Sequence, residues 1–86
     1  MQFEGAVVRE QGQTFGIVVV KPQVLQSTSD QATMRDLGVR AFGPMPIVLM
    51  GQDSRGVPTY QGRPDIVRFL ANILVQQIVW KRYTLK

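Results

Sequence analysis

Few side chains in this 86-residue chain are equipped for chemistry, because it contains neither Cys nor His. That excludes disulfides, a thiol nucleophile, a Cys/His zinc site, a Ser-His triad and imidazole acid–base catalysis. The six carboxylates, Glu4, Glu10, Asp30, Asp36, Asp53 and Asp65, are scattered along the sequence. No two of them fall at a spacing that pairs them on one element. Asp30 and Asp65 read as acids in the first turn of a helix, where the dipole favours them, and Asp53 as a turn former. No residue stands out as catalytic, cofactor-binding or metal-binding, and neither a cofactor nor enzymatic activity is expected.

Binding chemistry is better represented. Arg55 and Arg63 flank a short segment containing Tyr60, and Arg63 stands where a helix begins, a position whose free N–H groups attract anions. The plain alternative is a solvated arginine, or a local Arg63–Asp65 pair of little energetic weight. The glycines of GQDSRG have turn duties and lack the strand-to-helix context and the Lys of a phosphate loop. Near the end, Trp80-Lys81-Arg82-Tyr83 interleaves aromatics with bases. This suits either stacking on nucleic-acid bases or a strand with Trp80 and Arg82 on one face and Lys81 and Tyr83 on the other. The net charge is +4, and Lys81, Arg82 and Lys86 supply most of it. So small a surplus offers few phosphate contacts, and nucleic-acid binding is expected to be weak and non-specific.

These residues need elements to position them. Residues 2–9 and 14–21 read as a hairpin across a Gly-containing turn at 10–13. The second strand, TFGIVVVK, is β-branched and apolar on both faces, as a central covered strand is. A short helix is expected at 30–37, with Ser29 as N-cap (Ser27 or Thr28 as alternatives) and Gly38 just past its end. VRAFGPMP then reads as an irregular connector. PIVLM at 46–50 is a second apolar strand, followed by a polar hairpin loop and a return strand at 57–61, which Pro58 places at a sheet edge. Pro64 and Asp65 open a helix whose apolar face is Ile66, Phe69, Leu70, Ile73 and Leu74. Residues 75–86 fit a helix extension, a final strand or a tail. The longest apolar runs, FGIVVV and PIVLM, fall far short of the ~20 residues of a membrane span.

Residues 37–74 resemble the C-terminal half of a thioredoxin-like domain. The features that carry the likeness are Gly38-Val39-Arg40 after a helix, Pro46 before an apolar strand, a polar hairpin and an amphipathic helix, with GIVVVK at 16–21 as the preceding central strand. The resemblance implies a cis proline at Pro46 and a ligand or peptide cleft beside Pro46, Tyr60 and Arg63. The family's redox dithiol and the strand–helix that carries it are missing, as is the acidic-Ser pair of the glutathione-transferase version. The likeness therefore implies architecture without thiol activity.

The expected fold is a single α+β domain over 1–86. It is a two-layer sandwich in the order ββαββα(β), a mixed four- or five-stranded sheet with two helices. Two strands apolar on both faces are much to cover with two helices. Either the helices split between the faces, or a second copy buries one of them. The expected function is a small, non-catalytic cytoplasmic domain acting through protein–protein contact. A homodimer would form through the less-covered sheet face or residues 78–84, with Trp80 at or near the contact. The alternatives are nucleic-acid binding through Trp80, Lys81, Arg82 and Tyr83, and ligand binding near Pro46.

Overall fold

A computed structural model describes residues 1–10 and 12–85. The chain runs β1 (Gln2–Glu10), β2 (Gln13–Val19), a 3-10 turn (Pro22–Gln26), α1 (Thr28–Phe42), β3 (Ile47–Gln52), β4 (Pro58–Gln61), α2 (Pro64–Leu70), a second 3-10 turn (Val75–Gln77) and β5 (Lys81–Thr84). The strands form one mixed sheet in the order β4-β3-β2-β1-β5. β2 and β3 are parallel, joined by the crossover through α1, and the other three pairings are antiparallel. The α+β class and the ββαββαβ order follow the sequence reading.

The alternation of side chains along the two apolar strands builds two cores. Phe15 and Ile17 of β2, with Val48 and Met50 of β3, point to one face and meet Ile66 and Leu70 of α2. Val18, Ile47 and Leu49 point to the other and meet Leu37, Met34 and Phe42 of α1. Each buried Val, Ile or Leu contributes roughly 1.5–3 kcal/mol relative to an exposed one. A run apolar on both faces is stable only with cover on both. The helices therefore lie on opposite faces, and the layers are helix, sheet and helix rather than the two expected.

The first helix is longer than its sequence suggests. Ser27 is its N-cap, its Oγ accepting from the Asp30 N–H at 3.3 Å. The helix continues through Gly38 to Phe42, so the expected stop at 37 and the irregular reading of VRAF are corrected. Gly38 serves packing instead. A Cβ there would lie 2.8 Å from Ile47 Cγ2 and 3.0 Å from Val18 Cγ2, and its absence lets α1 settle against the sheet. Gly43 ends the helix, with φ +99° and its N–H donating to Val39 O at 2.8 Å.

The second helix is shorter than expected and stops at Leu70, so Ile73 and Leu74 fall outside it. The topology supplies the reason. β4 and β5 are opposite edges of the sheet, roughly 19 Å apart at ~4.8 Å per strand gap, and the chain after β4 must cross between them. A helix advances only ~1.5 Å per residue. The chain leaves the helix, and Leu74 and Ile78 are extended on either side of the second 3-10 turn. It then folds back as β5 on β1, which decides among the three readings of the C-terminal segment in favour of a strand. All peptide bonds of the described residues are trans, that before Pro46 included.

Candidate functional site

The arginines are occupied locally. Arg63 precedes α2 and grips Asp65 with two bonds, Nε to Oδ1 at 3.1 Å and a terminal nitrogen to Oδ2 at 2.6 Å. The hydrogen bond from Arg63 holds the Asp65 carboxyl below the usual carboxylate range and raises Arg63 in turn. The positive end of α2 already faces a carboxylate, so the local pair is what forms. Arg55 lies in the β3–β4 turn, exposed, with its guanidinium 4.0 Å from Asp53. Asp53 organises this turn, its Oδ1 accepting the backbone N–H groups of Arg55 and Val57 at 2.8 and 2.9 Å.

Pro46 and Tyr60 have separate roles. The Pro46 carbonyl accepts the Gly16 N–H at 2.9 Å and ties the entrance of β3 to β2. Tyr60 pairs with Met50 across β4 and β3 and packs against the α2-side core. Burial raises the phenol above its ordinary pKa, and its hydroxyl has no hydrogen-bond partner among the described residues.

The basic-aromatic stretch is split by the sheet. Tyr83 pairs with Phe3 and stacks on it, with ring centroids 5.5 Å apart, and meets the edge of Phe42 at 4.8 Å. It is part of the α1-side core. Trp80 packs on the opposite, α2-side core, its Nε1 donating to Val75 O at 3.0 Å. The two rings therefore do not form one platform of the kind that stacks successive bases. Lys81 and Arg82 are exposed on β5, and Arg82 stands across from Glu4. Among the described residues, no three Cys, His, Asp or Glu side chains gather as a metal site would need. Nor, among them, is any helix long and apolar enough to cross a membrane.

The structure also leaves several apolar side chains open to solvent. Leu74 is 65% exposed, Val79 74%, Val57 53% and Val7 39%. One groove runs between Val57-Pro58 and Leu74-Val75, and another between β1, from Val7 and Val8 to the charged Arg9 and Glu10, and Ile78-Val79. Ile73 lines both, which joins them into one band along the side of the molecule where residues 71–80 cross. No charged residue occurs from Ala71 to Trp80. Interface cores share this depletion of charge. Of the binding candidates that the residue types suggest, only Trp80 lies beside the band. Leu74, Ile73 and Val57 are not among them. The first two fall on a helical face that the spacing places under cover, although the uncharged run itself is legible. No family model matches the chain, no curated protein matches it and no solved structure matches it, so its own surface must carry the functional reading.

Proposed function

We propose that this is a non-catalytic cytoplasmic domain that works through protein–protein contact and associates with itself. The observation that carries the reading is the exposure of Val57 and, along the uncharged segment 71–80, of Leu74 and Val79 on a chain of net charge +4. Apolar surface of this kind gains by leaving water. Two copies of a cationic chain repel each other, and an uncharged patch is where that repulsion is least. A two-fold dimer is the commonest way for such a patch to close.

Sedimentation at micromolar concentrations tests this. The expected result is a dimer for the natural sequence and a monomer for Leu74→Asp with Val79→Asp. Both side chains are mostly exposed, so the far-ultraviolet circular dichroism of the variant should be unchanged. A 9.7 kDa monomer throughout that range overturns the reading.

A further inference from the structure

The two outer strands of the sheet, β4 and β5, are dressed differently. β4 is uncharged and carries Pro58, which lacks the N–H that a neighbouring strand would use. β5 has no Pro, and its register turns main-chain groups outward. Met1 exchanges both main-chain bonds with Leu85, its N-terminal amine donating to Leu85 O at 2.9 Å and its carbonyl accepting from Leu85 N at 2.8 Å. Along an antiparallel strand successive residues direct their N–H and C=O to alternate sides. Tyr83 and Lys81 therefore turn theirs inward, to Phe3 and Gly5 of β1. Arg82 and Thr84 turn theirs away from β1, to an edge where, among the described residues, no further strand lies. Both are exposed, as are Glu4 and Gln2 across from them, so α2 does not reach this corner of the sheet.

The side chains say which strand this edge accepts. Lys81 and Arg82 are consecutive cations in a strand of 4 residues, and consecutive residues project to opposite faces. Lys81 stands across from Gly5, which has no side chain to answer it. Arg82 stands across from Glu4, yet among the described residues neither cation forms an ion pair. Charged side chains, Lys above all, keep indiscriminate strands off an edge. The same charges attract a strand that carries carboxylates, because opposite charges directly across from each other stabilise a strand pair. We infer that the outer edge of β5 takes an extended acidic segment of another protein as an added strand, with two consecutive Asp or Glu set against Lys81 and Arg82. The N–H and C=O groups of Arg82 and Thr84 hold its backbone, and the carboxylates select it. A second copy offering its own β5 brings the same two cations and is repelled. The inference therefore does not rest on the self-association proposed above.

Nuclear magnetic resonance of the backbone amides tests this with synthetic hexapeptides. The probe is acetyl-Val-Thr-Glu-Glu-Val-Thr-amide, compared with its Gln-Gln and Lys-Lys counterparts. The acidic peptide should shift the Arg82 and Thr84 amides and slow their exchange with solvent. The Gln-Gln peptide should bind roughly 2–30-fold more weakly, the range that two opposite-charge pairs span, and the Lys-Lys peptide should leave both amides unmoved. Lys81→Gln with Arg82→Gln, both at exposed positions, should erase the preference for Glu over Gln while the remaining amide spectrum stays that of the folded chain. The acidic peptide N-methylated throughout keeps its charge, cannot donate to a strand ladder, and should have no effect. Arg82 and Thr84 amides that stay unmoved at millimolar acidic peptide overturn the inference. Equal binding of the N-methylated peptide also overturns it, since that is charge attraction without an added strand. A single-stranded RNA hexanucleotide that moves these amides at lower concentration than the acidic peptide assigns the cations to phosphate and overturns the protein partner. Each outcome is read at the amides of β5, whereas self-association is read by sedimentation, so the two readings can fail separately.

Discussion

The two faces of the sheet are covered in different ways. On one, a 15-residue helix lies across the central strands, and the rings of Phe3, Phe42 and Tyr83 close the end over β1 and β5. On the other, a 7-residue helix covers only part of the width, and an irregular crossing finishes the work. The buried residues beneath are equally apolar, Val18 and Leu49 on the first face and Ile17 and Val48 on the second, all at 0% exposure. The difference lies in the cover. A regular helix presents one apolar stripe and turns its polar side to water. An irregular crossing has no such period, so some apolar side chains point in, as Ile78 does, and others point out, as Leu74 and Val79 do. The exposed band is the by-product of spanning a five-stranded sheet with too little helix.

Matched truncations should separate the two kinds of apolar position. Leu49→Ala opens a cavity on the well-covered face and should cost about 2–5 kcal/mol. Leu74→Ala, in the band, should stay within about 0.5 kcal/mol of the natural chain when the monomer is measured. Denaturant unfolding followed through Trp80, the single tryptophan, reads both. A loss for Leu74→Ala as large as that for Leu49→Ala would mean that the crossing segment is core.

The close approach of α1 can be tested at Gly38. Gly38→Ala drives a Cβ against Ile47 and Val18, and overpacking of this kind costs about 1–3 kcal/mol. An exposed helical glycine would instead gain about 1 kcal/mol from the same change, so the sign of the shift in thermal midpoint decides whether α1 seats as closely as the contacts require.

The smallest effect belongs to the edge of the less-covered face, at the Arg63–Asp65 pair. Asp65 has its pKa lowered in the folded state by the Arg63 hydrogen bond. Its contribution is therefore present above the ordinary carboxylate range and is lost as pH falls through the depressed folded value. Both side chains are about half exposed, so the effect is small. Asp65→Asn should slightly flatten the acid limb of a stability-against-pH curve and leave its shape near neutrality unchanged. An unaltered acid limb would show that the pair has no weight.

Much of the fold was legible because it is local. The all-apolar runs at Ile17–Val20 and Ile47–Met50 declare covered strands, Pro58 declares an edge strand, and Pro64 with Asp65 opens a helix. The same local signals misled at Gly38, where a residue that commonly ends helices serves a close contact with Ile47, 9 positions away in sequence. They misled again at Ile73 and Leu74, whose spacing continues a helical face that the crossing to β5 interrupts. Arg63 was legible in both its readings, and proximity to Asp65 chose between them.

The sequence by itself determined that thiol and imidazole chemistry are closed to this chain, that two strands must be buried on both faces, and that residues 71–80 carry no charge. Composition and period are enough for such statements, since each concerns the residues alone. Only the tertiary structure decided that the helices take opposite faces, that Tyr83 and Trp80 part to opposite sides of the sheet, and that β5 pairs with only the first half of β1. Those facts depend on which strand lies beside which and where each one stops. Strand order and strand length relative to a neighbour are set by the closing of the whole sheet, and no local run of residues encodes them.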